Sequence, residues 1–237
     1  MMLTTRSTQR ELMDDLSLEK DHLRNVLNDI STANKLLNGD QATLQAVLKY
    51  IDENPKPSYR FMDVGCGNGD MLIKLHSALE EREINAEYIG IDLNPTSIEI
   101  AREETLLYPK INFLQQDIFT LDAKRFECDV LLCTLTLHHF ASHEIPRFLE
   151  TFRVLATDLV IVNDLQRNKV AYQLFKLFSA VFMKTKIAKQ DGLTSIASGF
   201  TETELHELAE KANIPTSQYS IESKWAFRYL WSINAHR

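Results

Sequence analysis

The 237-residue sequence is poor in cysteine, and the three present, Cys66, Cys128 and Cys133, form no CxxC pair and share no zinc-like spacing with histidine. A structural metal centre and a disulfide framework are therefore not expected, and an odd, small cysteine count suits a reducing compartment. Basic residues are also in deficit: 26 Lys and Arg stand against 33 Asp and Glu, a formal charge of −7. That balance disfavours broad nucleic-acid binding, which needs a basic footprint, and no nucleic-acid partner is expected. Long apolar runs are missing. The longest apolar-rich stretch, Leu174 to Met183, contains Lys176 and falls short of the ~20 residues that span a bilayer, so no stable membrane insertion is expected. The opening MMLTTRSTQRELMDD has no apolar signal-peptide core, and the expected location is cytoplasmic. Hydrophobic residues at 44% and charged residues at 25% suit a globular chain with one sizeable core.

What is present falls into two rhythms. Over residues 8–54, Leu23, Val26, Leu27 and Ile30, then Leu44, Val47, Leu48 and Ile51, recur at helical spacing, broken at Asn38-Gly39-Asp40 and ended by Pro55-Lys56-Pro57. Strands and helices then alternate: strands at 59–64, 86–91, 111–115, 129–134 and 159–163, with helices at 70–83, 95–106 and 145–154. The 129–134 strand is almost wholly apolar, as a strand covered on both faces should be. The expected fold is α/β, a Rossmann-like doubly wound, mostly parallel seven-stranded sheet with helices on both faces. Residues 1–57 form an N-terminal helical extension; 58–237 form the main domain, with a helical, basic and aromatic lid insertion at about 165–198. Thr201-Glu-Thr-Glu204 has capping-box spacing and opens a helix to about Asn213. Trp225, Phe227, Tyr229 and Trp231 at period two predict antiparallel strands at the end of the chain.

The chemistry is concentrated at strand ends. Phe61-Met-Asp63-Val-Gly65-Cys66-Gly67-Asn-Gly69 is an apolar strand running into a glycine turn and a helix, with Gly-x-Gly-x-Gly spacing rather than the GxGxxG of dinucleotide sites or the GK[ST] of phosphate loops. Asp92, ending Tyr88-Ile-Gly-Ile-Asp92-Leu93-Asn94, stands about 20 residues after the glycine turn, where a carboxylate can accept both hydroxyls of a ribose. Asp117-Ile118 ends the following strand, an acid beside an apolar residue suited to an adenine ring.

These motifs, in this order, resemble the class I methyltransferases that use S-adenosylmethionine, and the similarity covers about residues 59–164. The resemblance implies that Asp63, Gly65, Cys66, Gly67 and Gly69 hold the methionine end of the cofactor. Asp92 would hold the ribose, Asp117 would contact the adenine amino group with Ile118 and Leu93 packing against its ring, and Asn94, Cys133 and Thr134 would also line the cofactor site. The product would be S-adenosylhomocysteine. The arrangement is similar to small-molecule methyltransferases of bacterial polyketide or pigment clusters. His138-His139-Phe140 follows the fourth strand, and either histidine is a candidate catalytic base. His143 is a candidate helix cap, as is Asp164, and Asp191-Gly192 and Ser198-Gly199 are candidate hinges of the lid.

The expected reaction is methyl transfer to a small, apolar or aromatic acceptor, on oxygen. Carbon methylation of a quinone or polyketide, and a non-catalytic cofactor-binding protein, are the alternatives. The insertion at 165–190 reads as a substrate lid, as a packed helix with a solvated basic edge, or as a peripheral membrane contact. No metal is expected, and the chain is read as a monomer or homodimer.

Overall fold

The computed structural model describes residues 3–235. Five parallel strands, β1 (Tyr59–Val64), β2 (Ala86–Asp92), β3 (Ile111–Gln115), β4 (Cys128–Thr134) and β5 (Ala156–Leu165), are joined by β6 (Tyr219–Lys224) and β7 (Arg228–Asn234). The order is β3-β2-β1-β4-β5-β7-β6, with β7 antiparallel to both neighbours. The order reverses between β1 and β4. Ligands of open α/β sheets bind at such a switch point, outside the carboxyl ends of the strands.

Strand alternation builds two cores. Phe61 and Met62 are adjacent in β1, and both are within 1% of full burial. Phe61 belongs to one core, with Val47 and Ile51 of α2 (Gln41–Glu53) and Leu72, Leu75 and Leu79 of α3 (Asp70–Glu80). Met62 belongs to the core on the opposite face, with Phe148, Leu149 and Phe152 of α6 (Ile145–Leu155) and Leu205 and Leu208 of α9 (Glu202–Lys211). The helix between β2 and β3, α4 (Pro95–Glu104), starts where expected, because Asn94 Oδ1 accepts the Thr96 N–H at 2.9 Å and Pro95 supplies a preset φ. The Thr201–Glu204 capping box forms with both of its bonds.

Three expectations change. The helical lead-in begins only at α1 (Lys20–Leu36); residues 6–18 are an irregular strap with one 3-10 turn at Leu12–Asp14. The insertion is two helices, α7 (Lys169–Phe182) and α8 (Lys186–Ser198). The break is made by Asp29 of α1, a buried carboxylate that accepts the Lys184 and Thr185 backbone N–H groups at 3.0 and 2.7 Å, while Thr185 caps α8. Asp191-Gly192 and Ser198-Gly199 are consequently not free hinges. Asp191 lies within α8, and a Cβ on Gly199 would come 2.6 Å from the Leu165 carbonyl oxygen. The final strand begins at Arg228 rather than Trp225, since Ala226 and Phe227 adopt φ of 61° and 56° and turn the β6–β7 hairpin. Among the described residues, no helix is long and apolar enough to cross a membrane.

Candidate active site

A cavity of about 1140 Å³ opens over the carboxyl ends of β1, β2, β4 and β5. Its floor is the glycine turn and the strand-end acids. Its cover is the 6–18 strap with α1, α7 and α8. Asp63, Gly65, Cys66, Gly67, Asp92, Leu93, Asn94, Asp117, Ile118, Thr134, His138 and His139 all border it. Two candidates do not. Cys133 is fully buried in the core beside α6, because alternation along β4 turns it away from the cavity. Gly69 adopts φ 80° at the start of α3, and a Cβ there would press on Phe113. Its task is packing, not ligand contact.

The glycine turn is held open by specific contacts. A Cβ on Gly65 would collide with Thr136, so the loop after β4 can close on it only because Gly65 has no side chain. Gly67 has φ 54°, and a Cβ on it would meet nothing nearer than Leu27 Cδ2 at 3.4 Å, which leaves bare backbone facing open space. Asp92 fixes this backbone: its Oδ2 accepts the Gly67 N–H at 3.0 Å and its Oδ1 the Asn94 N–H at 2.8 Å. Burial nevertheless raises its carboxyl above the usual range, and each oxygen keeps a lone pair for a further donor. Asp117 is exposed and accepts the Phe119 N–H at 2.9 Å, while its neighbour Ile118 is buried.

Among the described residues, four buried polar atoms on cavity-lining side chains lack hydrogen-bond partners: Asp63 Oδ1, Thr134 Oγ1, His138 Nε2 and Arg228 Nε. Desolvation, with Asp92 and Asp40 nearby, pushes the Asp63 carboxyl up to about 8. Such a group calls for a donor or cation from a ligand. Arg228 faces the reverse situation. It is buried at the start of β7, donates to Asn34 Oδ1 at 2.7 Å and leaves Nε unsatisfied. Burial lowers its pKa, with the charges of Asp40 and Asp164 opposing that change.

The two histidines differ. His138 Nδ1 lies 2.7 Å from Asp164 Oδ1, and its Nε2 lies 3.3 Å from Glu11 Oε1 of the strap. The two carboxylates outweigh desolvation and raise the ring to about 10, while Asp164 and Glu11 are both lowered. Facing carboxylates on both ring nitrogens, with its pKa raised to about 10, His138 is poorly suited to accept a proton at neutral pH, which leaves His139 as the better candidate base. Asp164 serves this pair, and Asn168 caps α7 in its stead. His143 does not cap α6, whose N-cap position is Glu144. His139 is partly exposed to the cavity, with Nδ1 3.1 Å from Asp14 Oδ2 and Nε2 3.7 Å from Glu11 Oε2.

The strap residues Glu11 and Asp14 were not singled out from the sequence, nor was Arg228. Asp191, read from the sequence as part of a hinge that could enter the pocket, borders the cavity and is the strap's anchor: its carboxylate accepts the Leu12 and Met13 N–H groups at 2.8 and 2.9 Å. Ser195 Oγ donates to Glu11 Oε1 at 2.5 Å. The close acids of Glu11-Leu-Met-Asp14, on a segment too irregular to form a helix, were the available signal.

The methyltransferase domain pattern matches residues 55–213. The chain belongs to the methyltransferase domain family. This methyltransferase is 23% identical over 190 residues to the carboxy-S-adenosyl-L-methionine synthase of Campylobacter hominis, covering 72% of this chain and 75% of that one. Its fold is similar to the plantazolicin methyltransferase BpumL, solved with S-adenosylhomocysteine, at TM-score 0.70, 19% identity and coverage of 96% and 95%. It also matches the magnesium protoporphyrin IX methyltransferase of Synechocystis PCC 6803, solved with S-adenosylmethionine, at TM-score 0.54, 16% identity and coverage of 83% and 79%.

Proposed function

We propose that this methyltransferase transfers a methyl group from S-adenosylmethionine to a hydroxyl oxygen of a small, apolar or aromatic acceptor. The observation that carries the reading is the bare backbone at Gly67, held by Asp92 and facing a cavity with unpartnered polar atoms on its wall. Those atoms fit the cofactor. Asp63 offers a carboxylate to the ammonium group, Asp92 accepts from the ribose hydroxyls, Leu93 and Ile118 flank the adenine, and Asp117 accepts from its amino group. Arg228 is the buried positive charge nearest in kind to what a carboxylate needs. When bound, the cofactor supplies a methyl group activated on a sulfonium sulfur.

The rest of the work falls to the chain. The strap and α7–α8 exclude water, and Leu174, Phe175, Phe178 and Met183 give the acceptor an apolar wall. Holding acceptor and methyl donor in line supplies most of the rate. His139 takes the acceptor's hydroxyl proton, and Asp14 steadies the resulting imidazolium. The His138 imidazolium, fixed between Asp164 and Glu11, ties the strap to the end of β4 and β5 as a positioning residue. On this reading the 6–18 strap, α1, α7 and α8 are the cover, and the strand ends and turns of residues 58–164 carry the transfer machinery.

The test is incubation of the full chain with methyl-labelled S-adenosylmethionine and a panel of hydrophobic phenols and hydroxyquinones, with products read by mass spectrometry. Labelled methyl ethers, lost in the His139→Ala variant and retained in His143→Ala, support the reading. Turnover confined to carbon-methylated products, or to amines, refutes the oxygen assignment.

A further inference from the structure

The charge of this protein is distributed unevenly. All 33 acidic residues lie outside residues 165–190, a stretch that holds Arg167, Lys169, Lys176, Lys184, Lys186 and Lys189. Within it, α7 covers the cavity with one face. On its outward side Val170, Leu174, Leu177 and Val181, at spacings of four, three and four residues, form one stripe along the helix, with Leu174 at the edge that also borders the cavity. They are 57%, 52%, 69% and 74% exposed, and Phe182 beside them is half-exposed. Lys169 and Lys176 are exposed along one flank of the stripe, and Lys184 and Lys186 are exposed beyond its end. Trp225, on the tip of the β6–β7 hairpin, is 77% exposed, and the residues after it border the same cavity.

Apolar side chains seldom stand in such a row on the surface of a soluble protein, and a core helix would turn them inward. A second protein surface would need acids to match the lysines. A bilayer with anionic headgroups offers the matching charge and an apolar layer beneath it. Basic residues beside an apolar helical face, with a tryptophan at headgroup level, are what such an interface selects.

We propose that α7 docks this methyltransferase on an anionic lipid bilayer, lying in the plane of the interface with Leu177 and Val181 dipped below the headgroups. The roof of the cavity then lies against the membrane, which holds an acceptor dissolved in the lipid close to the site. Only this last consequence rests on the proposed methyl transfer to an apolar acceptor; the docking stands on α7 itself.

The experiment is co-sedimentation of the full chain with vesicles of phosphatidylglycerol and phosphatidylcholine mixed about equally, and with phosphatidylcholine alone. The wild type is expected to sediment with the anionic vesicles and not with the neutral ones. The Leu177→Glu/Val181→Glu double variant should lose roughly tenfold or more in vesicle affinity. Each of Lys169→Gln and Lys176→Gln should lose about fivefold, since one lysine near an anionic surface contributes on the order of that factor. All variants change exposed positions, so unchanged thermal unfolding and unchanged S-adenosylhomocysteine binding are required of them. Absence of wild-type binding to the anionic vesicles overturns the proposal, as does equal binding by the double variant. So does a wild-type dimer in solution that the double variant dissociates, because a second copy would then cover α7. S-adenosylhomocysteine binding is read separately, so failure of the docking leaves the methyl-transfer reading intact, and the reverse holds too.

Discussion

Asp63 ties ligand binding to pH in a way that can be worked out in advance. Burial, with Asp92 and Asp40 adding repulsion, places its carboxyl at about 8. At pH 7 about nine-tenths of the molecules therefore carry a proton there, since one pH unit is a tenfold ratio. A ligand ammonium facing Asp63 binds the carboxylate, not the acid. Binding S-adenosylhomocysteine at pH 7 should then release close to one proton, and affinity should rise about tenfold per pH unit from 6 to 8 before levelling. The sign follows from the direction of the shift: the group is neutral below 8, so low pH competes with the cation. The Asp63→Asn variant keeps the shape and removes the titration. Its affinity should be nearly flat over this range, close to wild type at pH 6 and about 10- to 150-fold weaker at pH 8.5, the equivalent of one charged hydrogen bond at about 1.5–3 kcal/mol. Calorimetry in buffers of different ionisation enthalpy counts the protons directly. Asp92 is also raised by burial, and any slope that remains in the variant is its share. Proton release and pH slope that are the same in the variant as in the wild type would refute the assignment of Asp63.

The same site gives three further expectations. Asp92→Ala should weaken S-adenosylhomocysteine binding at least tenfold by calorimetry, because it removes both a ligand acceptor and the bond that fixes the Gly67 N–H. Gly67→Val should abolish binding, because the side chain projects into open cavity, and should also lower the thermal unfolding temperature, because φ 54° strains a β-branched residue. His138→Gln should destabilise the protein by about 3–5 kcal/mol near pH 6, the usual cost of breaking a buried ion pair. The raised ring of His138 contributes fully below its unfolded value near 6.5 and loses its contribution as pH climbs through about 10. The lowered carboxyls of Glu11 and Asp164 contribute above their unfolded range near 4 and lose it as pH falls through their folded values. The wild-type advantage over His138→Gln in thermal unfolding should therefore be largest near pH 5–6 and shrink toward pH 10; an advantage that grows with pH contradicts the pairing.

The frame of the fold was legible because its signals are local. β1 and β3 occupy the stretches read from apolar runs, and the Asn94-Pro95 start of α4 and the Thr201–Glu204 capping box each announce themselves within four residues. The glycine turn and Asp92 were legible for the same reason, because their spacing encodes a strand, a turn and a helix start. What escaped depends on distant partners. The break between α7 and α8 is imposed by Asp29, which lies some 155 residues earlier in the chain. Asp191 looked like part of a hinge beside Gly192, but it anchors a strap from the opposite end of the sequence. His138 looked like a base until Glu11 and Asp164 closed on it. Cys133 was assigned to the cofactor from its place beside Thr134, and alternation along one strand sent the two residues to opposite sides.

The most direct test of the central claim is calorimetric titration of the full chain with S-adenosylmethionine and, separately, with a nicotinamide dinucleotide. Micromolar binding of S-adenosylmethionine alone is the predicted result. Binding of the dinucleotide, or of neither ligand, would contradict the assignment of the glycine turn and Asp92 to this cofactor.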